Sequence, residues 1–275
     1  MKERIDVLLV QQGFYESREK ARRAIMAGLV FRENERIDKP GVKIDATASL
    51  RVKGDAIPYV GRGGMKLEKA LRVFPFSVAG KIVLDIGAST GGFTDCALQN
   101  GALRVYALDV GFNQLAWKLR IDERVTVMER FNFRYAELKD FTEGRPQKAT
   151  ADVSFISLKK ILSPLKAILA PGGEVMVLVK PQFEAGKAEV GKKGIVRDRK
   201  VHFRVLEDTV AFCIAEGYSV KGLDYSPITG GEGNIEFLLY LEWNGPATDT
   251  IGSLLSPERI TDVVSKAHVA FSIKE

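Results

Sequence analysis

The most constraining feature of this sequence is an apolar segment that runs into a glycine-rich turn. Residues Lys81–Ile86 predict a short buried β-strand. Gly87, Gly91 and Gly92 then allow a tight turn and a close approach of the backbone to a ligand, before a helix begins near Phe93. A strand, a glycine-rich turn and the N-terminus of a helix, in this order, are typical of a nucleotide-type binding site.

An acidic residue follows where a bound ribose would need one. Asp109 ends the next predicted strand, 24 residues after Asp85, and a carboxylate there can hold a pair of ribose hydroxyls. The spacing from Gly87 to Gly91 does not fit a dinucleotide fingerprint, and no Walker lysine follows. Because Asp85 sits in the strand end, where it can meet a cationic or polar ligand group, the turn resembles the first motif of S-adenosylmethionine-dependent methyltransferases. The alternative is an ordinary turn in an α/β domain.

The composition favours a soluble globular protein with room for two domains. The chain has 275 residues, of which 45% are hydrophobic and 28% charged. It contains no run of 18 or more apolar residues, and its charged N-terminal sequence lacks the apolar segment of a secretion signal. We therefore expect a cytoplasmic protein. Cys96 and Cys213 lie in apolar helical contexts, which predicts small core residues rather than a disulfide or a metal site.

From about residue 65 onward, helical and strand patterns alternate. Helices are predicted at 65–73, 92–100, 112–120, 156–169 and 201–217. Strands are predicted at 81–86, 104–109, 125–129, 150–155, 173–180, 218–225 and 235–243. The alternation indicates a largely parallel sheet, and the glycine-rich loop between the last two strands makes the last one antiparallel. The prediction is an α/β fold with a Rossmann-like, seven-stranded methyltransferase sheet.

The N-terminal residues 1–58 have an α+β organisation of their own. Arg4–Gly13 predicts a short amphipathic helix, and Ser17 is a good N-cap for a second helix that ends before Gly28. Short strands are predicted at 29–31 and 49–53. The first 60 residues hold 12 Lys and Arg against 9 Asp and Glu, so about a fifth of the chain carries half of its net charge of +6. This distribution favours a polyanionic partner.

Basic side chains on and around the second helix are candidates for contact with a phosphate backbone. The candidates are Arg4, Arg18, Lys20, Arg22 and Arg23, together with Arg62 in a glycine-rich connector. A solvated basic surface is the alternative, and Arg62-Gly-Gly could equally clasp a ligand. However, Ser17-Arg-x2-Ala-x3-Ile-x2-Gly, the preceding Arg4-Ile-Asp and the later Lys39-Pro-Gly resemble the S4-like RNA-binding domain, first named for a ribosomal protein. That resemblance favours RNA.

Four ionisable residues are predicted to meet at one edge of the sheet. Asp152, Lys180 and Glu236 lie at ends of predicted strands, and Lys66 begins the helix before the first strand. Ligands of an open α/β sheet bind outside the carboxyl ends of its strands. Charges attached to apolar strands are costly unless they are paired, so two carboxylates and two lysines could share one pocket. The alternative is a structural ion pair between Asp152 and Lys180, with the other two residues exposed.

Together, these four residues resemble the Lys-Asp-Lys-Glu tetrad of ribose 2′-O-methyltransferases. Gly-Arg-Gly-Gly-Met-Lys-Leu, Leu-Asp-Ile-Gly-Ala-Ser-Thr-Gly-Gly-Phe-Thr, Ala-Asp-Val-Ser-Phe-Ile-Ser, Val-Lys-Pro-Gln-Phe-Glu and Gly-Asn-Ile-Glu-Phe follow in order. In this order, and after the S4-like domain, they are similar to the TlyA (hemolysin A) family over essentially the whole chain. Members usually have Ser where this chain has Gly61, which loosens the connector.

The resemblance implies S-adenosylmethionine-dependent 2′-O-methylation of cytidine in 16S or 23S ribosomal RNA, or in both. It also implies an FtsJ-like methyltransferase domain at 65–245, a linker at 59–64 and a helical C-terminal extension at 246–275. Ribosomal RNA or ribosomal subunits are then the partners, without a membrane or a metal. The sequence does not indicate the number of subunits.

The same resemblance assigns roles to residues. A lysine whose pKa is lowered by burial and by a neighbouring cation can accept a proton from the 2′-hydroxyl. Lys180 is given this role and Lys66 is the neighbouring cation, while Asp152 and Glu236 would orient the lysines and the hydroxyl. Contacts with S-adenosylmethionine are expected from Asp85, Gly87, Ser89 and Gly91 near the methionine part, Asp109 at the ribose, and Asn132 and Phe133 near the adenine.

Other readings stay open. The basic loop at 184–197 can close over RNA, or it can be a solvated loop. His202 and His268 are expected to be structural or surface residues, and the alternative is that His202 acts as a general base. One rival function is an RNA-binding protein with an inactive methyltransferase fold, and the other is a membrane-active hemolysin, for which the sequence offers no spanning or strongly amphipathic segment.

Overall fold

The computed structural model describes residues 2–15, 17–33, 35–52, 58–245 and 255–271. Its contacts divide the chain into two compact units, residues 1–64 and residues 65–275. Several predicted features lie outside the described residues: the end of the strand predicted to reach Lys53, connector residues 54–57, and residues 246–254 and 272–275 of the predicted C-terminal extension. The boundaries predicted for the linker and for that extension stay predictions.

The first unit contains two helices and short antiparallel strands. Its elements are β1 (Lys2–Arg4), α1 (Ile5–Gln11), α2 (Arg18–Met26), β2 (Val30–Arg32), β3 (Glu35–Ile37), β4 (Lys43–Asp45) and β5 (Leu50–Val52). Strand β1 pairs with β4, and β2 lies between β3 and β5. Apolar side chains at helical spacing, such as Ile5, Leu8 and Leu9 on α1, pack against Ala21 and Ile25 of α2 in a small core. The sequence did not indicate β1, β3 and β4, because three-residue strands carry almost no periodicity.

Both ends of α2 follow the predicted capping pattern. The Ser17 hydroxyl accepts the backbone N–H of Lys20 at 3.3 Å. At the other end, Gly28 has a positive φ of 72° and donates its N–H to the carbonyl of Ile25, while Leu29 donates to Ala24. This paired arrangement satisfies the last carbonyls of the helix and needs a left-handed residue at its end, which explains the glycine. The predicted N-cap and helix end are confirmed.

The second unit is an α/β domain. Its strands are β6 (Ile82–Ile86), β7 (Arg104–Leu108), β8 (Val125–Met128), β9 (Lys148–Ala151), β10 (Gly173–Val179), β11 (Tyr218–Tyr225) and β12 (Phe237–Trp243). Its helices are α3 (Gly64–Val73), α4 (Gly92–Gln99), α5 (Trp117–Arg120), α6 (Lys159–Ile168), α7 (Pro181–Glu184), α8 (Arg199–Ala215) and α9 (Pro257–Phe271). Single 3-10 turns lie at Phe133–Tyr135, Leu138–Asp140, Lys187–Glu189, Lys192–Gly194 and Gly231–Gly233.

The seven strands form one sheet in the order β11-β12-β10-β9-β6-β7-β8. Strands β10, β9, β6, β7 and β8 are parallel, and β12 runs antiparallel to both of its neighbours. The predicted seven-stranded sheet with an antiparallel last strand is confirmed. The strand order reverses between β6 and β9, so the carboxyl ends of these two strands border the crevice where open α/β sheets bind ligands. Among the described helices, none has the length and apolar character needed to cross a membrane.

Two predicted elements are shorter in the structure. The helix predicted at 112–120 is limited to α5, because the Glu129 carboxylate accepts the N–H groups of Asn113, Gln114 and Leu115 and holds them in a loop. The strand predicted at 150–155 ends at Ala151. Beyond it the chain leaves the sheet in an irregular segment that reaches α6 and lies beside the crevice.

Candidate active site

The glycine-rich turn after β6 leaves no room for a side chain at Gly87. Gly87 has a φ of 85°, and a Cβ there would lie 2.8 Å from the carbonyl oxygen of Asp152. Gly91, with a φ of 95°, is the N-cap of α4. The N–H groups of Gly87 and Ala88 both donate to the carbonyl of Leu108 on the neighbouring strand, at 2.8 and 3.0 Å. Glycine is therefore required here by left-handed backbone and by close approach.

Asp109 is held rigidly at the end of β7. One carboxylate oxygen accepts the N–H of Ser89 at 2.8 Å, and the other accepts the N–H of Gly111 at 2.7 Å. Each oxygen of an ionised carboxylate has a second lone pair, which stays available for a ligand donor. The turn after β6 and the loop after β7 are thus fastened to one carboxylate that still can accept two hydroxyl groups.

A cavity of about 520 Å³ opens beside this carboxylate. It is lined by the predicted cofactor residues Gly87, Ser89, Asp109, Asn132 and Phe133, and also by Val110, Gln114, Arg134, Asp152, Ser154, Phe155 and Ile156. Its volume and its mixture of apolar and polar walls are those of a small-molecule site. The sequence did not single out Val110. In the structure this residue lines the cavity wall and is 71% exposed, which is high for valine.

Asp85, predicted to contact the cofactor, points into the protein. It is 1% exposed, and its two oxygens accept the hydroxyls of Thr94 at 2.7 Å and Thr150 at 3.0 Å. Burial raises its pKa to about 6, although the two hydroxyls oppose the shift. Neither Asp85 nor Gly91, both within the described residues, lines the cavity. Asp85 ties β6 to α4 and β9 and so fixes the turn that does line it.

The four predicted catalytic residues meet in one ion cluster. Lys66 Nζ lies 2.9 Å from an Asp152 oxygen and 2.7 Å from a Glu236 oxygen. Lys180 Nζ contacts the other Asp152 oxygen at 2.6 Å and the Ser154 hydroxyl at 3.0 Å. The alternative with only one structural ion pair is therefore not what the structure shows, because Glu236 is 2% exposed and Lys66 is 5% exposed.

Opposite charges hold Asp152 and Lys66 of this cluster in their ionised forms. Burial by itself raises the pKa of Asp152, but Lys66 and Lys180 outweigh burial and hold that pKa well below its usual range. Burial likewise lowers the pKa of Lys66, but the carboxylates of Asp152 and Glu236 outweigh it and raise that pKa. Lys66 is thus a fixed cation between two anions. Lys180 shares only one of these anions and lies beside Ser154, a residue of the cavity wall.

The irregular segment after β9 exposes an aromatic side chain at the cavity. Phe155 is 92% exposed and has a φ of 63°, a left-handed conformation that costs a non-glycine residue about 1–3 kcal/mol. Its ring lies 5.2 Å from that of Phe183. Downstream, the Glu184 carboxylate accepts the Ser157 hydroxyl and the Leu158 N–H, each at 2.7 Å. The sequence did not indicate a role for Phe155, because an aromatic residue next to an apolar run is normally predicted to lie in the core.

The predicted RNA-binding side chains of the first unit fall into groups. The guanidinium groups of Arg4 and Arg18 each lie 2.9 Å from the buried Asp6 carboxylate. The hydrogen bond from Arg4 lowers the pKa of Asp6 to about 2 against the effect of burial. Lys20 and Arg22 are exposed on α2. The remaining two predicted residues, Arg23 and Arg62, are partly buried.

The histidines and cysteines lie apart from this site. His202 and His268 contact each other through ring nitrogens at 2.8 Å between α8 and α9, and burial lowers the pKa of His202 to about 4. Cys96 and Cys213 are buried and carry free thiols. Searched over the described residues, the chain places no three His, Cys, Asp or Glu side chains where they could hold a metal ion. The two histidines and the two cysteines are buried in the protein core.

Comparisons with known proteins agree with the geometry. The profile of the FtsJ-like methyltransferase family matches residues 59–243, and that of the S4 domain matches residues 3–49. The proposed rRNA methyltransferase YqxC of Bacillus subtilis is 62% identical over 100% of this chain and 97% of its own. The 16S/23S rRNA (cytidine-2′-O)-methyltransferase TlyA of Mycobacterium tuberculosis is 39% identical over 96% of each chain. A solved structure of a proposed hemolysin from Streptococcus thermophilus, 57% identical, matches with a TM-score of 0.79 over 98% of this chain and 97% of that one.

Proposed function

Because this chain belongs to the TlyA family, whose larger domain is an FtsJ-like methyltransferase, we propose that it methylates the ribose 2′-oxygen of a cytidine in ribosomal RNA with S-adenosylmethionine. The observation that carries this proposal is the cluster of two lysines and two carboxylates beside the cavity. A lysine next to a cofactor site can act on a hydroxyl group without a metal. The choice of cytidine and of ribosomal RNA is taken from the relatives' names.

The lining of the cavity fits S-adenosylmethionine. Gly87 lets the backbone approach the ligand, Asp109 keeps lone pairs for two ribose hydroxyls, and Val110 with Phe133 offers apolar surface to the adenine. When bound, the cofactor supplies a methyl group activated by a sulfonium. The residues of the chain then have to bring a nucleophilic oxygen to that group and to take its proton.

We assign the acceptance of this proton to Lys180. In its neutral form, the amine of Lys180 would accept the proton of the 2′-hydroxyl. The bond of the methyl group to sulfur would break as its bond to the ribose oxygen forms, leaving a neutral thioether. Lys66 stays charged between Asp152 and Glu236, so it keeps a positive potential beside the oxygen as negative charge develops there. Asp152 holds both lysines and lines the cavity. Most of the acceleration then comes from positioning of the two reacting groups.

Phe155 is placed to hold the base of the target nucleotide. An enzyme can bring one nucleotide of an RNA into its site by taking the base out of its stack, and an aromatic side chain can then replace the lost stacking. Phe155 stands three residues after Asp152, is nearly fully exposed and lines the cavity. Its strained backbone conformation fits a functional rather than a packing role.

Asp109 gives a direct test of the cofactor site. We expect Asp109→Ala to raise the dissociation constant of S-adenosylmethionine about 10- to 100-fold, since hydrogen bonds to a charged acceptor are worth about 1.5–3 kcal/mol. Isothermal titration calorimetry would measure it. The control is Asp122→Ala, which removes a carboxylate that binds Arg124 and does not line the cavity. Equal affinities in both variants would remove Asp109 from the cofactor site.

The first unit is expected to bind RNA through exposed cations. Each phosphate contact adds about 0.7–0.9 to the slope of log affinity against log salt. Lys20→Ala with Arg22→Ala should therefore weaken binding to ribosomal RNA and reduce that slope by about 1.4–1.8 units. Arg259→Ala with Lys266→Ala on α9, which removes two cations paired with Asp262, is the matched control. An unchanged slope in the first variant would mean that this face is only solvated.

The proposed reaction is tested by methyl transfer from labelled S-adenosylmethionine to separate small and large ribosomal subunits that lack the modification. Nuclease digestion and mass spectrometry should show 2′-O-methylcytidine in at least one subunit. Label on a base would overturn the proposal. Absence of label, with measurable binding of both cofactor and subunits, would instead favour an RNA-binding protein with an inactive methyltransferase fold.

A further inference from the structure

Glu184 makes contacts that the proposed chemistry does not use. It ends the short helix α7, four residues after Lys180, and is partly buried. Its two oxygens accept hydrogen bonds from Ser157 and Leu158, at the start of α6. The N-terminus of a helix has free N–H groups and a positive potential, so a carboxylate is a strong partner there. Glu184 therefore links the chain after β10 to the chain after β9.

The two linked segments both carry residues of the site. Asp152 and Phe155 belong to the segment after β9, and Lys180 to the one after β10. At its upstream end the first segment is fixed by the Asp152 N–H, which donates to Ile86 at 3.1 Å, and by the two lysines on the Asp152 carboxylate. At its downstream end it is fixed by Glu184. Only four residues, 153–156, lie between these two anchors.

Phe155 lies between the anchors and needs both of them. A non-glycine residue keeps a left-handed conformation only where the surroundings over-determine it. Its own side chain cannot do so, because it is 92% exposed and touches little besides the ring of Phe183. The strain is therefore carried by the ends of the segment. If the downstream anchor is released, the segment can relax to an ordinary conformation and turn the ring of Phe155 elsewhere.

We infer that Glu184 is a positioning residue, which presents Phe155 to the base of the target nucleotide by clamping Ser157 and Leu158. This inference rests on the proposed function, because it assumes that Phe155 contacts a base during ribose methylation. Glu184 itself contacts neither the cofactor cavity nor the ion cluster among the described residues. It acts through the backbone of the segment after β9.

Variants of Glu184 separate the effect of its two hydrogen bonds from the effect of its negative charge. Glu184→Ala removes both acceptors, and kcat/KM for methyl transfer should fall about 10- to 100-fold, because a displacement of about 1 Å in a positioning group can cost about 100-fold. Glu184→Gln still can accept the Leu158 N–H and bond to the Ser157 hydroxyl, so it should stay within about threefold of the wild type. Ser157→Ala removes one of the two bonds to Glu184, together with the acceptor of the Lys159 N–H, and should lie between them. Glu216→Ala, which removes a partly buried carboxylate bound to Lys166 of α6, is the matched control and should have no effect.

The decisive experiment uses an RNA in which the target nucleotide lacks its base but keeps the ribose with its 2′-hydroxyl. If Glu184 acts through Phe155 and the base, then Glu184→Ala and the wild type should methylate abasic RNA at similar rates. In addition, Phe155→Ala combined with Glu184→Ala should be no slower on normal RNA than Phe155→Ala alone. Calorimetry should show cofactor affinity within about twofold of the wild type in all variants.

Other outcomes overturn the inference without touching the proposed function. A loss in Glu184→Ala that persists in full on abasic RNA would mean that Glu184 only supports the domain. If the fall in kcat/KM of the double variant equals the product of the falls in the two single variants, Glu184 and Phe155 act independently. If Glu184→Ala does not fold, Ser157→Ala carries the same comparison. Absence of methyl transfer by the wild type on every RNA would instead contradict the proposed function itself.

Discussion

Replacement of Lys180 by methionine is expected to lower the rate of methyl transfer by about 10²–10⁴-fold, the usual contribution of a positioned general base. Methionine matches the lysine stem in length but cannot accept a proton. Asp152 keeps Lys66 as a cation at 2.9 Å, so the cluster retains a partner for this carboxylate. Lys180 does not line the cofactor cavity, and the dissociation constant of S-adenosylmethionine should therefore stay within about twofold of the wild type. Single-turnover transfer of labelled methyl and calorimetry measure the two quantities.

A buried lysine at the other edge of the sheet provides the control. Lys148 begins β9, is as deeply buried as Lys180, and forms an ion pair with Glu174. Lys148→Met therefore removes a buried, paired cation without touching the site. It should lower stability but leave the rate per folded molecule near that of the wild type. If Lys180→Met retained more than a tenth of the wild-type rate, Lys180 would not be the proton acceptor.

The position of the site could be predicted because strand ends are readable from apolar runs. Asp109, Asp152 and Lys180 each follow such a run, and each follows a parallel strand in the structure. Parallel strands end at one edge of a sheet, so the sequence alone brings these three residues near one another. Lys66, at the start of a predicted helix, and Glu236, at the start of the last predicted strand, were added as partners for these charges, and the family resemblance supported all four. In the structure, Lys66 forms ion pairs with both Glu236 and Asp152 and so joins the two carboxylates.

The remaining features depend on partners far apart in sequence. Asp85 turns inward because Thr94 and Thr150 offer hydroxyls, a preference that no spacing within its own strand reveals. The helix predicted at 112–120 loses its first turn to the carboxylate of Glu129, which directly follows the next strand, β8. The exposure of Phe155 follows from anchors at both ends of its segment. In each case a tertiary hydrogen bond overrides the local pattern.

Replacement of Lys66 by methionine is expected to have the largest effect on stability. Within the described chain, Lys66 is the cation paired with Glu236, whose carboxylate is 2% exposed. Without Lys66 this carboxylate is a buried, unpaired charge, and loss of one partner of a buried pair costs about 3–5 kcal/mol. Denaturant unfolding at pH 8 should therefore show a free energy of unfolding lower by that amount. Methyl transfer should fall as well, because the fixed cation beside the reacting oxygen is gone.

The dependence of this loss on pH identifies its cause. In the wild type, the pKa of Asp152 lies below its usual range and that of Lys66 above its usual range, because each charge is paired. The stability that Asp152 contributes is present above the ordinary carboxyl pKa of about 4 and is lost only as the pH falls below that value. The stability that Lys66 contributes is present below the ordinary lysine pKa of about 10 and is lost only as the pH rises above that value. Neither contribution changes between pH 5 and pH 8. In Lys66→Met, by contrast, an unpaired buried carboxylate takes up a proton as pH falls, so the variant should regain about 1–2 kcal/mol between pH 8 and pH 5.

A second substitution decides whether the unpaired charge is responsible. Lys66→Met combined with Glu236→Gln removes the cation and the stranded anion together, and replacement of both members of a buried pair by neutral groups is far less costly than loss of one. The double variant should therefore recover most of the stability at pH 8 and lose the pH dependence of the single variant. Its rate of methyl transfer should stay low, since the cation is still absent. A double variant as unstable as Lys66→Met would show that Lys66 stabilises the domain through the packing of its stem rather than through its charge.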